Sequence, residues 1–495
     1  MSDLAQLLMP AVRWDPARGY EGERPAIARA LELGVGGFIL FGGEQDAVRA
    51  LTKELRAKSR IPLLIGADLE RGAGQQFAGA TGLPPLAAIA SLNDADAVRR
   101  AARLTAREAR TIGVNWDYAP VCDLDVLPEN PIVGTRSLGS DPATVAALAA
   151  EWIDACQSEG VLACAKHFPG HGRTTVDSHD ELPTVSADQD TLFQTDLVPF
   201  RAAIDAGVAS IMTAHVAFTA LDPSGAPATL SREMLQWLLR QQLGFDGLIV
   251  TDALIMQGVL GGRSESDVCV QALRAGCDLL LYPTDAPAVV KAIDQAVASR
   301  QLDRERLHQS QRRRLKFAQW ASPPNEYRKP AQSDVAWGAQ LADRVVHVVR
   351  GTPHPLRGAA DVLIVDDDLG GPYPPPPRTW FLEGLRAAGV QGRVVETASG
   401  GSGATLVIAL FGDVRAWKKR AGYSEASRAT VAAAVREAGG ARDVVVVQFN
   451  HPRLAAEIPD AHTVICAWGG ERAMQEAAAR RLARGGAAPA AGARA

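Results

Sequence analysis

The residues best equipped for chemistry are concentrated in one segment, Lys166-His167-Phe168-Pro169-Gly170-His171-Gly172-Arg173-Thr174-Thr175-Val176-Asp177-Ser178-His179. Four of the nine histidines lie between 167 and 215, so the clustering itself needs an explanation. Lys166 and His167 close an apolar run, where an unpaired charge is costly to bury. Pro169, Gly170 and Gly172 then turn the chain into a loop. Asp177 and His179 are two apart and share a side in an extended segment. There the carboxylate can orient the imidazole and raise its pKa into the range useful for acid–base work. Two other readings stand beside this one. Each histidine taken alone is a satisfied loop or core residue, and His167, His171 and His179 together are a candidate metal site. Their spacing matches no His-Glu-x-x-His or Cys/His zinc pattern, so no metal and no cofactor are expected.

Asp252 closes a second apolar run, Gly247-Leu248-Ile249-Val250-Thr251-Asp252. A carboxylate there is either the N-cap of the following turn or a reacting group. Asp68, in Gly66-Ala67-Asp68-Leu69-Glu70-Arg71-Gly72, and Arg136, in Asn130-Pro131-Ile132-Val133-Gly134-Thr135-Arg136-Ser137, can grip hydroxyl groups through charge-assisted hydrogen bonds. Arg136 can equally pair with a structural carboxylate.

The elements that must position these groups follow from the apolar pattern. Short apolar runs predict eight strands at 8–13, 37–41, 62–68, 114–119, 162–167, 209–215, 248–252 and 278–282. Stretches with helical periodicity lie between most of them, as at 94–112, 144–159, 192–206 and 232–243. Gly34, Gly113, Gly160, Gly207, Gly244 and Gly276 stand where a helix must end before the next strand. Strands apolar throughout and alternating with helices imply a parallel sheet covered on both faces. Eight such units predict a (β/α)8 TIM barrel over 1–320, with active groups at the carboxyl ends of strands. Those ends carry Asp68, Lys166, His167, His215 and Asp252. No Gly-x-Gly-x-x-Gly follows the first strand, which argues against an open dinucleotide-binding sheet.

Residues 321–336 read as a Pro-rich polar linker. Apolar runs at 362–365, 393–395, 406–411, 444–449 and 464–467 predict a smaller α/β sandwich domain over 337–484. The Gly/Ala/Pro/Arg tail at 485–495 is expected to be disordered.

With 495 residues, two domains are the natural expectation. A formal net charge of −4 gives no reason to expect nucleic acid or an anionic membrane as partner. No apolar run reaches the roughly 20 residues of a membrane helix, and the N-terminus shows no basic then apolar leader pattern. The cysteines at 122, 156, 164, 269, 277 and 466 form no Cys-x-x-Cys pair and read as buried free thiols. A cytoplasmic location is the resulting expectation.

The motifs at 166–179, 130–137 and 250–256, together with Asp68-x-Glu70, resemble glycoside hydrolase family 3, and in particular its β-N-acetylglucosaminidase branch. The resemblance spans roughly residues 5–320 in the right order, and the histidine loop is its specific part. It implies a retaining enzyme that removes terminal N-acetylglucosamine from muropeptides or chito-oligosaccharides through a covalent glycosyl-enzyme. By resemblance Asp252 is the nucleophile, and His179 paired with Asp177 is the general acid–base. Asp68, Arg136, Lys166 and His167 are then the residues that hold the sugar. A histidine, with an ordinary pKa of about 6.5, donates and recovers a proton near neutrality without the upward shift a carboxylic acid requires.

The family stretch Gly-Gly-Arg-Val-x-Arg is replaced here by Arg71-Gly72-Ala73-Gly74-Gln75-Gln76, so Gln76 stands at the second arginine. In related β-glucosidases a C-terminal domain supplies the acid. Here the loop already carries one, and the second domain is assigned no catalytic residue. The alternatives are a phosphorylase with phosphate as acceptor, a broad β-glucosidase, and a sugar-binding protein with a relic site.

Overall fold

All eight apolar runs expected as strands hold strand structure: 8–13 is split in two, 37–41 is kept whole, 162–167 is extended by one residue, and the other five are shortened. The computed structural model describes residues 3–178, 181–321, 331–371, 374–401 and 403–486. The strands are β1 (Leu8–Met9), β2 (Ala11–Arg13), β3 (Gly37–Phe41), β4 (Leu64–Ala67), β5 (Trp116–Asp117), β6 (Leu162–Phe168), β7 (Thr184–Val185), β8 (Ser210–Thr213), β9 (Ala217–Phe218), β10 (Leu248–Thr251) and β11 (Leu280–Leu281). A seven-stranded parallel sheet runs in the order β10-β8-β6-β5-β4-β3-β2, and β1 pairs in parallel with β11. A further parallel bridge joins Val250 to Leu279. Beside the sheet, β7 and β9 form a short ladder of their own.

The sheet curls because one apolar cluster draws side chains from successive strands. Met9, Ile39, Leu64, Trp116, Leu162, Cys164, Met212, Leu248, Val250, Leu279 and Leu281 pack into it. Alternate residues of each strand point to this interior and the intervening ones face the surrounding helices. Every residue of β4, β6, β8 and β10 is therefore buried.

The helices follow the expected periodicity with one break. Helices Ala95–Thr111, Pro142–Ser158 and Glu233–Gln242 form where predicted, the second capped by Asp141, whose carboxylate accepts from Thr144 N at 2.8 Å. The stretch 192–206 is instead two helices, Gln189–Gln194 and Val198–Asp205. Pro199 has no N–H with which to continue the first helix. Asp196 is buried between them, paired with Arg173 at 2.7 Å. The αβ joints are as expected: Gly34 ends helix Arg24–Leu33 with φ 82°, a left-handed conformation that a side chain disfavours.

The second unit is a six-stranded sheet ordered β12-β17-β16-β15-β13-β14. Its strands are β12 (His347–Arg350), β13 (Gly358–Asp366), β14 (Val390–Val395), β15 (Thr405–Phe411), β16 (Asp443–Phe449) and β17 (Thr463–Cys466). All neighbours are parallel except β12, an antiparallel edge strand absent from the sequence reading because four residues with polar ends give too short a pattern. Val407, Ala409 and Phe411 join one apolar cluster while Leu406, Ile408 and Leu410 join another. The alternation shows that both faces of this sheet are covered.

Two corrections concern the join. Helix Gln332–Val345 begins inside the stretch expected as linker, because Trp337, Leu341, Ala342 and Val345 line one face and bury it. The rest of that linker, 322–330, and the tail from 487 lie outside the described residues. A single cut near 320 does not separate the compact units either. Gly82–Asp94 and Pro128–Arg136 group with the second unit. Helix Leu86–Ala90 is buried at every position, so it requires cover on all sides, and Ala87 and Ala88 find it beside Val345 and Val346. Among the described residues no helix is long and apolar enough to cross a membrane.

Candidate functional site

Strand β6 delivers two polar side chains, Lys166 and His167, to its carboxyl end, and both have partners. Lys166 Nζ lies 2.7 Å from Asp68 Oδ1 and 2.8 Å from Glu70 Oε1. Its side chain is only 2% exposed and Glu70 5%, whereas Asp68 is 29% exposed. Two carboxylates thus offset the cost of burying one ammonium, and the more open of them faces outward. His167 Nδ1 sits 2.6 Å from Asp123 Oδ2, so it carries a proton, and its Nε2 faces Asp252 Oδ2 at 4.0 Å.

Asp123 is the hub of this arrangement. Its Oδ1 accepts the backbone N–H groups of His167 at 3.1 Å and His171 at 2.6 Å. Burial alone would push this carboxyl up, but the charge and hydrogen bond of His167, and then His171, more than offset it and hold the group below its ordinary value.

The loop after β6 is held from within. The Lys166–His167 and Phe168–Pro169 peptides are cis. Gly172 approaches the Leu124 carbonyl so closely that a Cβ would lie 1.9 Å from it, which excludes any other residue there. His171 Nδ1 is 2.8 Å from Thr174 Oγ1, and Nε2 is 3.0 Å from Ser178 Oγ. Burial lowers the His171 pKa to about 4 against the opposing pull of Asp123. Asp177 is buried, and its carbonyl accepts from Glu181 N at 3.2 Å. His179 lies outside the described residues.

Asp252 follows β10 and is 24% exposed, with its Oδ1 accepting from Ala253 N at 2.7 Å. That bond reaches the next residue, not the second or third N–H that an N-cap serves. His215, at the end of β8, steadies the same place: its Nε2 donates to the Ala253 carbonyl at 3.1 Å and its Nδ1 meets Thr229 Oγ1 at 2.7 Å.

The fold therefore brings Asp68, Lys166, His167 and Asp252 to the carboxyl ends of β4, β6 and β10. Arg136 groups instead with the second unit, its Nη1 donating to the Ile132 carbonyl at 3.2 Å. Gln76 serves the backbone, accepting from Gly42 N at 3.1 Å. Sequence reasoning missed Asp123 altogether and assigned Glu70 no role. The usable signal was a carboxylate interrupting the apolar stretch Ala119-Pro120-Val121-Cys122-Asp123-Leu124.

The pattern of the Glycosyl hydrolase family 3 N terminal domain matches residues 2–317. The chain belongs to glycosyl hydrolase family 3. Among family 3 relatives, the β-N-acetylglucosaminidase/β-glucosidase of Cellulomonas fimi is 40% identical over 262 residues, which is 50% of this chain and 46% of that protein. The chain thus matches just under half the length of this relative. The β-hexosaminidase of Thiobacillus denitrificans is 38% identical over 273 residues, 52% of this chain and 75% of that one. A solved family 3 β-N-acetylglucosaminidase from Paenibacillus sp. str. FPU-7 superposes with a TM-score of 0.85 at 27% identity, covering 98% of this chain and 96% of the other. A β-glucoside phosphorylase shares the fold, with a TM-score of 0.85 at 23% identity over 98% of this chain and 93% of its own.

Proposed function

We propose that this family 3 protein is a retaining β-N-acetylglucosaminidase acting on muropeptides or chito-oligosaccharides, with Asp252 as nucleophile. The observation that carries this reading is the pairing of a half-open carboxylate at the end of β10 with His167, 4.0 Å away and oriented by a buried carboxylate. Asp252 attacks the anomeric carbon as the glycosidic bond breaks, forming a glycosyl ester. His179, oriented by Asp177, gives its proton to the departing oxygen and then takes one from the acceptor that cleaves the ester. Asp68 accepts from sugar hydroxyls while Lys166 holds it in place, and His167 Nε2 meets a hydroxyl between itself and Asp252. The Val250–Leu279 bridge and the β1–β11 ladder support a closed (β/α)8 barrel for the first unit. The two covered faces of the second sheet support a sandwich. Six buried, unpaired cysteines fit a reducing, cytoplasmic setting.

Product analysis with a disaccharide of N-acetylglucosamine, in buffers with and without phosphate, tests the reading. Free N-acetylglucosamine in both buffers is expected. A sugar 1-phosphate formed only with phosphate would replace hydrolysis by phosphorolysis. Asp252→Ala with unchanged turnover would sink the nucleophile assignment.

A further inference from the structure

His171 and Ser178 are absorbed by none of the roles above, yet their contacts are specific. Thr174 Oγ1 donates to the His171 carbonyl at 3.0 Å, so it must accept from His171 Nδ1–H. In the neutral ring Nε2 is then an acceptor, and the Ser178 hydroxyl donates to it across 3.0 Å. A pKa of about 4 keeps the ring in this state at neutral pH. His171 is in turn tied by its backbone to Asp123, the carboxylate that orients His167. From the other side, Gly258 N donates to the Ser178 carbonyl at 2.9 Å. Gly258 lies in the helical turn Gln257–Leu260 just beyond Asp252, and the fit leaves no space. A Cβ on it would stand 2.5 Å from Ser178 O and 2.9 Å from Glu181 O.

We propose that Ser178 is a positioning residue, clamped by His171 through its side chain and by Gly258 through its backbone. The clamp fixes the chain position next to His179 relative to both Asp123 and the segment that follows Asp252. This deepens the function proposed above and rests on His179 being the proton donor. A donor displaced by about 1 Å can lose roughly a hundredfold in rate, so such a clamp has a kinetic consequence that burial alone does not.

The test is leaving-group dependence in Ser178→Ala, Ser178→Thr and Gly258→Ala, using aryl glycosides that range from dinitrophenyl to phenyl. Ser178→Ala and Gly258→Ala should lose about tenfold or more in kcat/KM on phenyl glycosides but less than about twofold on dinitrophenyl ones, because only poor leaving groups need protonation. Ser178→Thr, which keeps the hydroxyl, should recover to within about threefold of the parent on both. Equal losses on good and poor leaving groups, or no loss on either, would overturn the proposal. Should Ser178→Ala fail to fold, Gly258→Ala decides, since it leaves the Ser178 hydroxyl in place. The slope is read on whichever aryl glycoside the parent turns over, so a wrong sugar would refute the N-acetylglucosaminidase reading without touching the clamp.

Discussion

Replacing Asp123 by Asn probes the site through a buried residue that orients His167. The carboxylate accepts three hydrogen bonds, two from backbone N–H groups on Oδ1 and one from His167 Nδ1 on Oδ2. Asn can keep the first two by placing its carbonyl at the Oδ1 position. Its NH2 then faces His167 Nδ1, so that nitrogen must become an acceptor and the ring proton moves to Nε2, the atom facing Asp252. The lost bond is charge-assisted and buried, worth about 1.5–3 kcal/mol, or roughly 10- to 100-fold at about 1.4 kcal/mol per factor of ten. We expect kcat/KM on nitrophenyl N-acetylglucosaminide to fall by that factor.

The same variant changes the response to acid. A carboxyl held below its unfolded value of about 3.9 contributes stability above that pH and loses it as pH falls through the folded value. Urea unfolding from pH 6 down to pH 3 should show a steeper loss in the parent than in Asp123→Asn. Retention of kcat/KM within about twofold, with parallel pH profiles, would refute the hub.

Lys166→Met leaves the Asp68 and Glu70 carboxylates facing each other without their shared cation; a loss of about 3–5 kcal/mol is expected in denaturant unfolding unless one carboxyl protonates, which raising the pH would expose. His171, neutral when folded, binds fewer protons than the unfolded chain between pH 6.5 and about 4, so its contribution declines as pH falls through that window. A shift from 6.5 to about 4 corresponds to about 3 kcal/mol, and His171→Asn should flatten this part of a stability–pH curve. Finally, all six cysteines are buried, with Cys164 and Cys466 pushed up to about 12 by burial, so a thiol reagent at pH 8 should label none in the native protein and all six in denaturant.

Local pattern alone determined much of this protein. The eight strand-bearing runs of the first unit, most of its helices and the glycines that end them follow from apolar spacing, because burial of a strand or a helix face is written within a few residues. The family likeness of the loop at 166–179 is equally local. What only the tertiary structure decided is who meets whom. Lys166 finds Asp68 98 positions away, and His167 finds Asp123 44 positions away, because strand order in the curled sheet sets those pairings. No sequence period encodes that order. The same holds for Gly258, whose need to be glycine arises from a carbonyl in another loop, and for the segments 82–94 and 128–136, whose membership of the second unit depends on which surfaces cover them. Asp252 shows both contributions. Its place at a strand end was legible in the sequence, but its contact with Ala253 N and its 4.0 Å distance from His167 Nε2 depend on the tertiary structure.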